Sequence, residues 1–229
     1  MKVSLKVLGQ KSKETIGGFS STSKMPWLSW SISADLCITG GKLAKIKGTI
    51  CALCYAQKGT YNWPNTISAM QRRIDAWNDN LNWVDDFIAS LGELANRLDD
   101  PSLLYFRWFD SGDIQSISML NDIVAIAIGL PNVKFWLPTK EHGFVREYIL
   151  NGGIIPDNLT IRLSAYKVNQ MIEHNSVISK MLPNSIAVES DYSYFDWVYY
   201  CPSQKQGNKC LDCRSCWDKD TKTIAYTIH

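Results

Sequence analysis

The sequence predicts an α/β fold, a partial (βα) barrel of about five to six parallel strands followed by a cysteine-rich C-terminal tail. Three observations lead there. Runs rich in β-branched and aromatic residues begin near positions 103, 133, 159 and 185, at intervals of 30, 26 and 26 residues. Each interval contains one segment of helical periodicity, and parallel neighbours need a crossover of that kind. Seven cysteines split into two groups, Cys37, Cys51 and Cys54 towards one end and Cys201, Cys210, Cys213 and Cys216 towards the other. With the first strand included, about five βα units are visible, too few for a closed barrel of about eight. A flat, doubly wound sheet is the rival arrangement.

In chain order, residues 1–26 form a polar N-terminal arm with Gly17-Gly18 and the run Ser20 to Ser23. The barrel occupies 27–196. Its first strand is WLSWSIS (27–33), with Cys37 just after it. Residues 38–66 are rich in Gly and Lys and carry Cys51 and Cys54. They read as a long loop, and long loops in compact domains are usually functional. Ile67, Met70, Ile74, Trp77, Leu81, Val84 and Ile88 step by three and four, the buried stripe of one long helix that Asp100-Pro101 ends. LLYFRWF (103–109) is a strand, Ser111-Gly112-Asp113 a tight loop, and Ser118 to Ile128 a helix. VKFWLPT (133–139) is a strand and EHGFVREYIL (141–150) a helix. LTIRLSA (159–165) is a strand, followed by a helix from Asn169 to Lys180 and the strand SIAVES (185–190). The tail, 197–229, holds the four C-terminal cysteines.

Composition narrows the function classes. Apolar content of 45% and charged content of 20% belong to a folded chain rather than a disordered one. A net charge of +2 excludes a strongly basic, non-specific nucleic-acid binder. It leaves a local patch at Lys42, Lys45 and Lys47 in the cysteine loop, which suits phosphate contacts or is simply solvated. No apolar run approaches the roughly 20 residues that span a bilayer. The N-terminus, MKVSLKVLGQKSK, lacks the apolar core of a secretion signal. A cytoplasmic protein with no membrane partner is expected. Thiols there stay reduced, so clustered cysteines in odd number point to metal rather than to disulfides.

Chemistry in parallel βα folds gathers at the C-terminal ends of the strands. Here those ends lead into Cys37, Cys51 and Cys54; Asp110-Ser111-Gly112-Asp113; Thr139-Lys140; Ser164 and Tyr166; and Glu189 with Asp191. Singly, such residues suit helix caps. Together they would face one mouth. Arg107 and Arg162 lie inside apolar strands, where a charge needs a partner. Either they point outward, or they pair with a carboxylate of substrate or cofactor. His142 and His174 read as surface residues.

Cys201-x8-Cys210-x2-Cys213-x2-Cys216 has the spacing of a loop wrapped around an iron–sulfur cluster. Zinc, which more often uses two separate C-x2-C pairs, is the alternative. Cys37-x13-Cys51-x2-Cys54 supplies three thiolates, leaving one iron of a [4Fe-4S] cluster open to chelate a small molecule. One or two clusters are expected.

These features resemble the radical S-adenosylmethionine (SAM) superfamily, which has a partial (βα) barrel and a three-cysteine motif after its first strand. The usual spacing there is C-x3-C-x2-C; this chain has ten extra residues between Cys37 and Cys51. Leu53 stands where an aromatic residue usually precedes the third cysteine, and Tyr55 follows Cys54 instead. The resemblance implies SAM as a cofactor. Ser111, Gly112 and Asp113 would match the motif that receives the amino group, Ser164 the hydroxyl contact, with Lys140 and Tyr55 in the same pocket. Arg107 and Arg162 would grip an anionic substrate group. A flavodoxin or ferredoxin would serve as electron donor.

A closer resemblance is to a phage-encoded family, the gene product 88 domain. CALCYAQKGTY (51–61), RWFDSGD (107–113), TIRLSAY (160–166), NKCLDCRSCW (208–217) and IAYTIH (224–229) carry it. It implies viral origin, a phage-infected host cell and cluster binding. Two functions follow as expectations. One is reductive cleavage of SAM and hydrogen abstraction from an unidentified substrate. The other is a non-catalytic iron–sulfur or zinc scaffold that binds nucleic acid or a protein partner.

Overall fold

The computed structural model describes residues 5–173, 176–189 and 196–228; His174 and Asp191 lie outside them. Seven strands form one sheet: β1 (Ser29–Trp30), β2 (Tyr105–Trp108), β3 (Lys134–Thr139), β4 (Leu159–Val168), β5 (Asn184–Val188), β6 (Tyr199–Tyr200) and β7 (Thr223–Thr227). Their order is β1-β2-β3-β4-β5-β7-β6, and every pairing between them is parallel. The sheet does not close, so β1 and β6 are its edges.

The helices are α1 (Leu5–Thr15), α2 (Ile38–Leu43), α3 (Pro64–Asp79), α4 (Trp83–Ala95), α5 (Ile117–Gly129), α6 (His142–Leu150) and α7 (Val177–Met181). α4, α5, α6 and α7 lie side by side in chain order, with α1 against α4. One continuous core joins them to the sheet through Trp30, Phe106, Trp108, Phe135, Leu137, Ile161 and Leu163. Helices along a single face are what repeated crossovers of one hand produce; a doubly wound sheet would carry them on both.

Period-two alternation sends Tyr105, Arg107, Trp136, Thr160 and Arg162 to the opposite face. No helix covers it. The cysteine-rich tail does. Met25, Trp136, Cys210, Cys216, Trp217 and Ile224 pack there as a second apolar cluster. Trp217 donates from Nε1 to Phe106 O at 2.8 Å, and Thr160 Oγ1 donates to Trp217 O at 2.7 Å. Arg162 is fully buried. Its guanidinium donates to the carbonyls of Asn184 (3.0 Å), Thr221 (2.8 Å), Ser215 (3.1 Å) and Asp218 (2.9 Å). The arginine pins the tail to the sheet, and backbone oxygens are its partners where an anionic substrate was expected.

Elsewhere the structure departs from local pattern for identifiable reasons. The N-terminal arm is helical over α1, and distant donors take up the carbonyls at and just beyond its last residue. Trp30 Nε1 donates to Ile16 O at 2.9 Å, Asn80 Nδ2 to Thr15 O at 2.8 Å and Arg73 Nε to Gly18 O at 2.9 Å. The long helix expected through Leu81 breaks into α3 and α4. Asn80 Oδ1 accepts from Asn82 N at 2.9 Å and turns the chain, leaving Leu81 99% exposed. β4 runs on to Val168, placing Ser164 in mid-strand, because the cysteine loop pairs with its end. Ile50 N donates to Tyr166 O at 2.9 Å and Val168 N to Gly48 O at 3.1 Å. Asn169, at φ 57°, then leaves the strand, and the following helix shrinks to α7 behind its Ser176 cap. β6 and β7 come from the tail, where motif reading foresaw only cysteine ligation.

Replacing Arg162 with Leu strips four carbonyls, one buried and three part-buried, of their donor and is expected to lower unfolding free energy by about 3 kcal/mol in urea titration. Leu81→Lys should stay within about 0.5 kcal/mol of the parent. An unchanged midpoint for the arginine variant would contradict the pinning role.

Candidate functional site

Parallel strands deliver their following loops to one end of the sheet, and the first three cysteines are built there. Cys37 directly precedes α2, and its carbonyl accepts from Gly41 N at 2.9 Å. The loop then returns beside β4. Buried Thr49 fixes it by donating to Leu43 O (2.6 Å) and Ile46 O (2.9 Å). Cys51–Leu53 form one 3₁₀ turn, closed by Cys54 N donating to Cys51 O at 3.2 Å. Residues three apart eclipse in that geometry, so the C-x2-C spacing sends both thiols to the same side.

Gly40 is the floor beneath them. A β-carbon there would stand 2.9 Å from Cys37 Cβ, 3.5 Å from Cys51 Sγ and 3.6 Å from Cys37 Sγ. Two sulfurs thus lie within 3.6 Å of one point that only glycine leaves open. All seven cysteines are free thiols. Burial, and then the charges of Asp113, Cys51 and Cys54, push the Cys37 thiol up. Burial raises Cys51 as well, against the pull of Lys140. Among the described residues, no three His, Cys, Asp or Glu side chains are grouped so as to hold a metal ion.

Carboxylates brace this mouth. Asp113 accepts from Thr139 Oγ1 (2.7 Å), Lys140 N (2.8 Å) and its neighbour Ile114 N (2.9 Å). Burial lifts its carboxyl to about 6 in spite of those bonds. Gly112 sits at φ +82°, and a β-carbon there would come within 2.9 Å of Ile32 O, so glycine lets the loop dock on the end of β1. Phe109, at φ 51°, breaks the alternation of β2. Its ring joins the helical core, and Asp110 swings back to accept from Ser29 Oγ (3.0 Å), Ser31 Oγ and Tyr61 Oη (3.1 Å). Tyr55 donates to Asp110 O at 2.6 Å. Ser111 Oγ is buried and has no partner among the described residues.

Of the tail cysteines, Cys201, Cys210 and Cys216 pack in the second apolar cluster, on the face the helices leave open. Cys210 N donates to Lys24 O at 3.0 Å, tying the tail to the N-terminal segment. Burial pushes Cys216 up to about 12, opposed by a hydrogen bond with Tyr226, and burial raises Cys210. Burial also works against the Cys213 thiolate, but hydrogen bonds from Tyr199 and Ser215 and the Arg214 charge bring that thiol down. Cys201 contributes to the fields at Cys210 and Cys216. Between the two groups stands Arg107, 4.6 Å above the Trp136 ring. It donates to Tyr55 Oη at 3.3 Å and lowers the Cys210 thiol.

Cys37 and Cys51 lie within electrostatic reach of Cys54, Asp113 and Lys140 at the mouth, and Cys210 and Cys216 within reach of Cys201 in the tail. Ser164 lies deeper, its Oγ accepting from Ser185 Oγ at 3.3 Å. His142, read from sequence as a surface residue, is half-buried. It stacks on Tyr166 at 4.8 Å, its Nε2 lies 3.1 Å from Ser164 O, and burial lowers it to about 4. Glu141 and Tyr61 were missed. Glu141 accepts from Thr39 N and Oγ1, both at 2.7 Å, and so fastens α2. Its position after Thr139-Lys140 was the available signal.

A family model described as Gene product 88 matches residues 8–219. No curated protein and no solved structure matches the chain.

Gly40→Ala forces the Cys37 side chain away and should cost about 1–3 kcal/mol as an overpacked site, read as a lower thermal midpoint. Gly41 has open space around it, so Gly41→Ala should be tolerated. Equal midpoints for the two variants would show that Gly40 is no floor.

Proposed function

The chain belongs to the gene product 88 family of phage proteins, and we propose that it is an iron–sulfur protein that binds SAM on an open cluster held by Cys37, Cys51 and Cys54. The observation that carries this reading is the pair of thiols converging over Gly40 at the strand-end mouth, with the third one turn away. The sheet, open at its edges with helices on one face only, is read as a half-barrel.

The donor chemistry fits the group, while among the described residues no three such side chains already stand in a ligating arrangement. Every candidate ligand is a thiol, the type that soft iron–sulfur centres take. Burial keeps Cys37 and Cys51 protonated as free thiols, so metal would replace protons there and its uptake would release acid. The four tail thiols suit a second, fully ligated cluster. When bound, a three-thiolate [4Fe-4S] cluster supplies one electron to the SAM sulfonium, the entry to hydrogen-atom abstraction.

The chain's own groups bind and orient. Lys140, whose charge reaches Cys37 and Cys51, would hold the SAM carboxylate. The unpartnered Ser111 Oγ would accept from its amino group. Asp113 is committed to Lys140 N and Thr139 and positions Lys140. Tyr55 and Asp110 brace the loop, while Ser164 keeps a hydroxyl proton to donate. Arg107 has a buried Nε with no partner among the described residues and would take an anionic group entering from the mouth. Below it, the tail excludes water.

Anaerobic reconstitution should load about eight irons and eight sulfides per chain, two cubanes. Cys37→Ser should lose about half and abolish SAM binding; Cys213→Ser should lose about half and keep it. Reduced protein mixed with SAM should yield 5′-deoxyadenosine. If neither SAM binding nor 5′-deoxyadenosine is found, the reading fails, and stoichiometric zinc would move the tail site to a structural role.

A further inference from the structure

The charge of this chain is unevenly spread. From Leu36 to Ile74 there are six Lys or Arg residues and not one Asp or Glu. The overall +2 therefore conceals a strongly positive segment set against an acidic remainder. That segment is the cysteine loop and the start of α3, at the C-terminal end of the sheet. Arg73 is buried and donates to backbone, and Arg72 donates to Ser68 Oγ on its own helix. The solvent-facing cations of the loop are Lys42, Lys45, Lys47 and Lys58. Lys167 joins them, since Thr49 bridges to it across the end of β4.

Large apolar side chains are exposed on the same segment. Trp63 is 61% exposed, Tyr55 56% and Leu53 50%. Tyr55 is held by its hydroxyl to Asp110, so its ring is presented rather than loose. Rigid flat rings among lysines are the elements of a single-strand nucleic-acid platform, where bases stack and ammonium groups follow the phosphates. An acidic protein partner is the other class that charge alone would admit. Protein interfaces, however, favour arginine and are depleted in lysine, and every exposed cation of this rim is a lysine.

We propose that the mouth rim formed by Lys42, Lys45, Lys47, Lys58, Lys167, Tyr55 and Trp63 binds a single-stranded nucleic acid, and that the substrate of the open site is a nucleotide within that strand. The second half rests on the SAM reading; the first does not. An open mouth among stacking rings takes an unstacked nucleotide, while a base inside a duplex would first have to be extruded. Acidic groups near the rim leave it positive. Glu141 is buried and bound to Thr39, Asp113 is buried and bound to Thr139, Glu189 accepts from Asn169, and Asp35 is the exposed acid just before the segment.

The test is fluorescence anisotropy of a labelled single-stranded oligonucleotide of ~20 bases, DNA and RNA in turn, with the anaerobically purified full chain. Log affinity should fall against log salt with a slope of about −3.5, the value for five released counterions on a single strand. Combined Lys42→Glu, Lys45→Glu and Lys47→Glu should weaken binding at least tenfold, and Trp63→Ala about tenfold, with both variants melting as the parent does. Any of three results overturns the proposal: unchanged binding by the triple variant, a duplex bound as tightly as the strand, or a polyglutamate of equal charge bound as tightly. The last would reassign the rim to an acidic protein. SAM binding is measured on the same preparation. Strand binding without SAM binding keeps the rim and removes the radical reading; SAM binding without strand binding does the reverse.

Discussion

An all-parallel sheet is apolar on both faces and can leave neither in water. In this chain the helices satisfy one face, and the requirement to cover the other organises everything else. The cover is the cysteine-rich tail, whose Trp217 and Cys216 pack on Trp136 and Ile224. It is fixed through Arg162, a charge that survives in the interior because four carbonyls surround its two terminal nitrogens. Once the tail lies there, Cys201, Cys210 and Cys216 are on the face the helices leave open, and Arg107 separates them from the mouth. A sequence feature that looks like an appended metal loop is thus part of the core.

The mouth obeys a different constraint. Strand direction alone brings Cys37, Asp110, Asp113, Lys140 and Tyr166 to one end, but direction does not fix distances. Those come from ties across the loops: Glu141 on Thr39, Thr49 on its own turn, Tyr55 and Tyr61 on Asp110. Gly40 permits the closest approach. Among the described residues no helix is long and apolar enough to cross a membrane.

Much of this was legible in the sequence. The regular interval of apolar runs located β2 to β5, whereas boundaries moved: α4 ends at Ala95, ahead of Asp100-Pro101, and Ser164 falls inside β4. What escaped were features set by partners far along the chain. α1 has little apolar pattern and depends on Trp30, Arg73 and Asn80. The stripe through Leu81 kept its spacing across a real break, because periodicity does not register a turn made by an asparagine side chain. Arg162 carried a visible anomaly, a charge in an apolar strand. Its resolution as a pin for backbone carbonyls depended on a tail that begins 35 residues later at 197. Spacing singled out Cys37, Cys51 and Cys54 as a set, whereas the close approach of Gly40 to Cys37 and Cys51 has no signature in the sequence.

Crystals grown without oxygen and measured at the iron absorption edge test the central claim most directly. The account predicts two compact anomalous peaks, one at the end of the sheet bounded by Cys37, Cys51 and Cys54 with a corner facing the mouth, the other on the face the helices leave open, enclosed by the four tail cysteines. An anomalous signal at the zinc edge in either place, or iron in the tail with none over Gly40, would contradict it.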